Sequence, residues 1–586
     1  MTEDIQVSSR KPQFIIGRSK ALLPAGAEPL NIHLLKQYIE RASDMDLVKV
    51  LEPRGLATAL SREDTHPEAI LVAQMTEERA RELKQAGGDQ LLVEVNARLT
   101  YAKPSAYPQS VTLPDSAVLV PNKLSCTIPV VVKGERDQAV AGAHVYLFGQ
   151  RSFTQGVTGD DGSVTLTLFG ETGDDLQGLR VDPIADYWSL WVPNPALAPD
   201  KNNIVMLRAF SQDFDNFPNQ QCVGWGQQAM NLNRLPGNYT GKGAKIAVID
   251  SGGATSHHDL QGQIADGYDF VNQQADSWNQ DEVFHGTHCT GIIAGKNDNF
   301  GIRGFAPEAE VHEFKILPGG RFSDLIDALE RCIELQIDVV NLSIGTSQRS
   351  LLVEQSLQKA REQGVACIVA AGNSGGPVLY PASSPQVLTV AAIGKRGTFP
   401  ENSYHSTQVF TGHGPSFTPD GYFSAQFTCF GPEVGVCAPG VAILSCVPPN
   451  NFAAWDGTSM ATPHVTGLAA LLLAHHPDFL GPYAMHNSQR VQRLFSILKQ
   501  SSRHLDLGDP RRVGAGLPDA MVAFNLAPAP AVAGPSPSDI GQHLWNEIQK
   551  ILYPSVTAPV AHPVERENMD TALQDLETLI RQAGLV

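Results

Sequence analysis

No run in the 586-residue chain approaches the roughly 18 apolar residues of a membrane-spanning helix, so no span is expected. Positive charge is scarce. Against 61 Asp and Glu stand 43 Lys and Arg, a formal charge of −18 with no basic run, which argues against a nucleic-acid partner. The eight cysteines, at 126, 222, 289, 332, 367, 429, 437 and 446, contain no CxxC pair and no metal-finger spacing. Met1 to Ser19 carry acids early and only Phe14-Ile15-Ile16 as an apolar run, unlike a secretory leader. The expectation is a cytoplasmic protein with free thiols, or one exported by another route. In the exported case Cys429, Cys437 and Cys446 are the group that could hold one disulfide.

What is present divides the chain. At about 100–200 residues per domain, the length implies roughly three or four units. Residues 12–102 read in the order βαββαβ, with strands at Phe14-Ile15-Ile16, Leu47 to Leu51, Ile70-Leu71-Val72 and Leu91 to Val95, and helices at Ile32 to Ile39 and Glu77 to Gln85. That is the order of a ferredoxin-like α+β fold. Residues 105–210 hold short β-type runs, Val130 to Val132, Ala143 to Leu147, Val164 to Leu168 and Trp188 to Trp191, separated in part by acidic turns. They imply a small antiparallel β-sandwich. From Ile246 onward, apolar strands alternate with amphipathic helices through residues 215–526, the α/β pattern of a parallel sheet covered on both faces. A Pro/Ala-rich linker at 527–537 and a helical tail at 538–586 follow.

In such sheets functional groups gather at the carboxyl ends of the strands. Asp250 follows one strand; Asn341 to Gly345 and Ala370 to Asn373 lie at two others. Near the C-terminal third, Gly457-Thr458-Ser459-Met460-Ala461-Thr462-Pro463-His464 runs into an apolar helix. A serine at a helix entrance can meet unpaired backbone N–H groups, which suits a nucleophile whose transition state carries an oxyanion. Acyl transfer also needs a base, an acid to orient it and an oxyanion donor. The candidates are the histidines of His285-Gly286-Thr287-His288, Asp250 and Asn373.

Val-Ile-Asp-Ser-Gly, His-Gly-Thr-His, Ala-Ala-Gly-Asn and Gly-Thr-Ser-Met-Ala-Thr-Pro-His occur here in that order, and the chain resembles the subtilisin-like serine proteases. The resemblance implies a subtilisin-like sheet and a serine endopeptidase. Ser459 would be the nucleophile, His285 the general base, Asp250 the carboxylate that fixes the imidazole, and Asn373 an oxyanion donor. Cys289, one turn past His285, resembles the proteinase K branch and is expected to be a buried thiol; His288 and His464 are expected to be structural. Ser343, Ile344 and Gly345 would pair with substrate backbone, with Ala370, Ala371 and Gly372 as the facing wall. Leu379 stands where the family has a pocket glycine, which implies a shortened pocket and a preference for small or modest aliphatic side chains.

The resemblance further implies a structural Ca²⁺ on the side chains of Gln221, Asp259 and Asp298 and the carbonyls of Lys296, Phe300 and Ile302. A second site of the proteinase K branch needs a carboxylate where this chain has Gly435. Residues 70–101 resemble the second half of the family's inhibitory prodomain, making the first unit an intramolecular inhibitor and the chain a zymogen. Self-cleavage is expected near Tyr101 to Tyr107, with Phe210 to Phe217 as the other place. Departures from the pattern are Thr346, where the family often has Gly, and an insertion between Lys395 and Thr428, read as a surface loop or a partner-binding element. The alternatives to a general endopeptidase are a processing protease for one partner and a non-enzymatic scaffold on a protease fold.

Overall fold

The computed structural model describes residues 11–20, 30–54, 68–101, 125–412 and 414–527. The linker and helical tail expected after 527 lie outside the described residues, as does most of the Tyr101 to Tyr107 stretch.

At the N-terminal side a four-stranded antiparallel sheet has the order Asp46–Leu51, Ile70–Gln74, Gln13–Arg18, Leu91–Val95, which is ferredoxin-like. Its helices, Ile32–Arg41 and Glu77–Gly87, are capped by Asn31 and Thr76, whose side chains accept from Leu34 N and Arg79 N. Because strand side chains alternate, Phe14 and Ile16 face these helices while Ile15 and Val72 face away. That second face has no helix of its own. It is buried instead against Leu325, Ile326, Leu329 and Leu352, which belong to two helices of the large unit.

Residues 125–207 form two small sheets around Val130, Val132, Val145, Leu147, Leu166, Leu168, Leu179 and Val181. The antiparallel expectation holds for six of the strand pairings' members but not for Asn203–Met206, which runs parallel to Ser125–Lys133. The chain reaches that strand by a long crossover rather than a hairpin, so parallel pairing is available to it. Trp188 lies outside the strands. It is buried with Phe210 and Phe217 in the core of the large unit.

The large unit is an eight-stranded, mostly parallel sheet ordered Ile264–Asp269, Glu310–Lys315, Lys245–Asp250, Val339–Leu342, Ala366–Ala370, Leu388–Lys395, Tyr422–Ser424, with Val434–Pro439 also paired to Leu388–Lys395. Helices His285–Ala294 and Thr458–His475 cover one face, and Phe322–Glu334 and Leu351–Glu362 the other. The central strands are buried at nearly every position, which is why their sequence is a continuous apolar run rather than an alternation. All eight cysteines are free, seven of them buried. No described helix is long and apolar enough to cross a membrane.

Candidate active site

Asp250 closes the strand Lys245–Asp250, and His285 opens the helix His285–Ala294. His285 Nδ1 lies 2.7 Å from Asp250 Oδ1, which also accepts from Ser251 N at 2.8 Å. The imidazole therefore carries its proton at Nδ1, leaving Nε2 as the basic nitrogen. Asp250 Oδ2 is buried with no hydrogen-bond partner among the described residues, and in this dry setting the carboxylate's field acts strongly on the histidine.

The helix carrying His285 is held by a residue the sequence reading missed. Asp281 accepts from Phe284 N at 2.8 Å through one oxygen and from Thr287 N and Oγ1 at 2.9 and 2.6 Å through the other. An acid just ahead of a helix start was the available signal. Ser251 Oγ adds a bond from Gly286 N at 2.8 Å. Gly286 is required for packing, since a Cβ there would sit 2.2 Å from Gly252 O.

Ser459 is the second residue of the helix Thr458–His475, and its Oγ lies 3.4 Å from Ser343 O. Asn373 Oδ1 accepts from Thr458 N and Thr458 Oγ1, both at 2.8 Å, and Gly372 N donates to Thr458 Oγ1 at 3.1 Å. These bonds orient the Asn373 amide, with Nδ2 as its donor end, beside the serine's turn. Asp250, His285, Asn373 and Ser459 are thus brought to the carboxyl edge of one sheet.

The neighbouring heteroatoms have other duties. His288 Nε2 lies 3.1 Å from both Ile443 O and Ala453 O, its ring stacks on Trp455 at 4.5 Å, and burial pulls its pKa down to about 3. His464 binds Met460 O at 2.8 Å and burial lowers it to about 4. Both stay neutral. Burial pushes the Cys289 thiol well above its ordinary range, and Sγ points at Ser459 O at 3.4 Å, so it buttresses the turn as an inert thiol.

The cleft is bounded by Gly345 on one side and by Gly320 to Phe322 on the other, the latter edge unforeseen from sequence. Between them lies this chain's own segment Asn96–Tyr101. Leu99 N donates to Gly320 O at 2.9 Å, Phe322 N to Ala97 O at 3.0 Å, and Gly345 N to Thr100 O at 2.8 Å. The Tyr101 ring ends 4.8 Å from the His285 ring. Leu379 reaches the space between two glycines: a Cβ on Gly372 would lie 2.8 Å from its Cδ1 and one on Gly345 would lie 3.3 Å away. Gly372, at φ +111°, could not carry a side chain without strain in any case.

Gln221, Lys296, Phe300 and Ile302 also converge. Gln221 Nε2 donates to the carbonyls of Lys296, Phe300 and Ile302 at 2.7, 2.9 and 3.3 Å. Asp259 is fully buried beside them, accepts from Ile302 N at 2.7 Å and is pushed up to about 6, chiefly by burial. Asp298 stands further out, with His258 Nδ1 4.0 Å from its Oδ2.

Residues 241–516 match the Subtilase family model. The chain is similar to Subtilisin NAT of Bacillus subtilis subsp. natto, 37% identical over 249 residues that make up 41% of this chain and 58% of that protein. It is 36% identical to Subtilisin of Bacillus pumilus over 41% of this chain and 80% of that one. With Subtilisin DY of Bacillus licheniformis the figures are 32%, 51% and 97%. The chain spans 58% of the length of Subtilisin NAT and of Subtilisin E of Bacillus subtilis. The match of residues 241–516 to the family model, with relatives 36% and 32% identical covered over 80% and 97% of their lengths, places the chain in the subtilase family.

Proposed function

We propose that this protein is a serine endopeptidase that hydrolyses peptide bonds through an acyl-enzyme and is made as a self-inhibited precursor. The observation that carries the reading is the buried 2.7 Å contact of His285 Nδ1 with Asp250 Oδ1, set beside the helix that presents Ser459.

Ser459 Oγ attacks the scissile carbonyl carbon while His285 Nε2 takes its proton, and Asp250 stabilises the imidazolium that forms. The carbonyl oxygen becomes an oxyanion that accepts from Ser459 N and Asn373 Nδ2. Collapse expels the amine, which takes the proton from His285. Water, deprotonated by His285 in turn, releases the carboxylic acid and restores Ser459.

Substrate backbone adds as a strand along Ser343, Ile344 and Gly345, with Ala370, Ala371 and Gly372 opposite. Leu379 fills much of the space between Gly345 and Gly372, which supports a preference for small or modest aliphatic side chains before the scissile bond.

Residues 12–102 act as the intramolecular inhibitor. Asn96–Tyr101 already has the backbone pairing of a bound peptide and covers His285. Glu94 adds a cap to the helix Leu351–Glu362, accepting from Ser350 Oγ at 2.6 Å and Leu351 N at 2.9 Å. Self-cleavage falls in the Tyr101 to Tyr107 stretch. The other place, Phe210 to Phe217, is disfavoured because both phenylalanines are core residues.

The donor set around Asp259 fits a structural Ca²⁺. Carbonyls of Lys296, Phe300 and Ile302 already converge on one polar group, all the offered atoms are hard oxygens once the Gln221 amide presents its oxygen, and Asp259 is a buried carboxylate short of positive charge. The ion would supply that charge and tie residues 296–302 to the segments carrying Gln221 and Asp259. Asp298 completes the set.

The test is hydrolysis of an unstructured protein by the purified chain alongside Ser459→Ala and His285→Ala. Activity in the wild type and its loss in both variants is expected; equal residual activity in all three would refute the reading.

A further inference from the structure

His405 lies in the insertion between Lys395 and Thr428, where the sequence suggested a surface loop, yet its side chain is only 3% exposed. Its Nδ1 is 2.7 Å from Asp456 Oδ1. Asp456 is the residue before Gly457-Thr458-Ser459, so this second buried His–Asp contact sits three residues from the serine. The same Oδ1 accepts from Ala442 N at 2.7 Å, and Gly457 N donates to Gly440 O at 2.8 Å. Next in the chain, Thr458 N donates to Asn373 Oδ1. One short segment thus links His405, the nucleophile's turn and the oxyanion donor.

On its other sides His405 meets hydrocarbon. Trp188 approaches edge-on at 5.8 Å and Phe399 at 5.9 Å, while Nε2 is buried with no hydrogen-bond partner among the described residues. Trp188 is itself fixed by a 2.9 Å bond from Nε1 to Asp213 Oδ2. The insertion is anchored to the β-sandwich by Trp191 N to Asn402 O at 2.8 Å and by Arg180 stacked 3.4 Å above the Tyr404 ring. Burying an imidazole with one nitrogen unpaired is unfavourable. Among the described residues, the side-chain hydrogen bond of His405 is the one to Asp456.

We propose that His405 is a positioning residue for the reaction assigned above: its Nδ1–H holds the Asp456 carboxylate, which sets the approach of Gly457 and Thr458 and so the placement of Ser459 Oγ against His285. The inference rests on the endopeptidase reading. It also gives the β-sandwich a role, because Trp191 and Arg180, on its strands, brace the insertion that carries His405. The sandwich then belongs to the working enzyme rather than to the removable inhibitor.

The separation of bond from packing uses three variants. His405→Phe keeps the ring among Trp188 and Phe399 but cannot donate. His405→Asn offers an N–H near the place of Nδ1. His405→Ala removes both. The measurements on the full chain, after removal of inhibition, are kcat and KM for a peptide substrate, the rate of labelling by a fluorophosphonate, and thermal midpoint. A displacement of reacting groups costs up to about 10²-fold. His405→Phe and His405→Ala are therefore expected to lose roughly 10- to 100-fold in kcat and in labelling rate with KM within about twofold, and His405→Asn to recover most of that loss. If His405→Ala does not fold, the contrast of Phe with Asn carries the test. A lowered thermal midpoint with kcat unchanged in His405→Phe, or equal losses in Phe and Asn, would overturn the proposal. A wild type that neither labels nor hydrolyses would instead refute the endopeptidase reading on which it rests.

Discussion

Thr100 and Gly345 exchange two backbone hydrogen bonds, Gly345 N to Thr100 O at 2.8 Å and Thr100 N to Gly345 O at 3.3 Å. The strand edge expected to receive substrate is thereby paired with the chain's own segment, one residue before Tyr101 meets His285. Thr100→Pro removes one of the two donors and disfavours the extended register at Leu99 least, so it weakens the pairing without abolishing it. The precursor should show higher peptidase activity before processing than the wild type. Unchanged latency would mean that the pairing does not inhibit.

Between the first unit and the large one, Lys49 Nζ and Arg54 Nη2 meet opposite oxygens of the mostly buried Asp327 at 2.6 and 2.8 Å, and Arg54 N donates to Glu330 Oε2 at 2.8 Å. Removing both cations leaves the mostly buried Asp327 carboxylate without a compensating charge, which weakens the contact between the two units. Lys49→Ala with Arg54→Ala should release inhibition, seen as activity appearing sooner after purification. Salt should produce a milder form of the same effect in the wild type, because the arginine is a third exposed and open to screening.

Leu379→Gly should open the space between Gly345 and Gly372. A peptide-library profile is expected to shift from small and aliphatic residues before the scissile bond towards Phe and Tyr. A wild-type profile already led by large aromatics would contradict the assignment of Leu379.

The proposed catalytic residues could be picked out as candidates because each lies within a few residues of a strand end or helix start and needs only local context to be recognised. The parallel order of the sheet followed from apolar runs alternating with helices. The edge at Gly320 to Phe322, the hairpin of Ile443–Val447 with Asn451–Trp455 and the contact of His405 with Asp456 were not legible. Each joins segments whose pairing leaves no periodic trace in either one. His405 and Asp456 are 51 positions apart, and nothing in the sequence between them signals that the two side chains meet. The parallel strand Asn203–Met206 escaped for a similar reason, since four residues with one buried side chain give no periodicity to read.

Asp259 gives the calcium assignment a pH signature. Its folded, metal-free pKa is raised to about 6, against about 3.9 for an unperturbed Asp, so the folded state binds more protons between those values. Without metal, the stability cost of the buried charge is present above about pH 6 and is relieved as pH falls towards 4. Calcium offsets that cost only where Asp259 is ionised. The rise in thermal midpoint on adding Ca²⁺ should be large at pH 8, small at pH 5 and absent in Asp259→Asn. An equal rise at both pH values would place the ion elsewhere.

Asn373→Ala should lower kcat by about 10²–10³-fold with little change in KM, the magnitude found for the corresponding donor of a subtilisin. A KM effect alone would give Asn373 a binding role instead of an oxyanion one.

The most direct test of the central claim is peptide mapping of the processed protein after reaction with a fluorophosphonate. The account predicts one adduct, on Ser459, that is absent in Ser459→Ala and strongly slowed in His285→Ala. No adduct on processed protein, or an adduct that persists in Ser459→Ala, would contradict it.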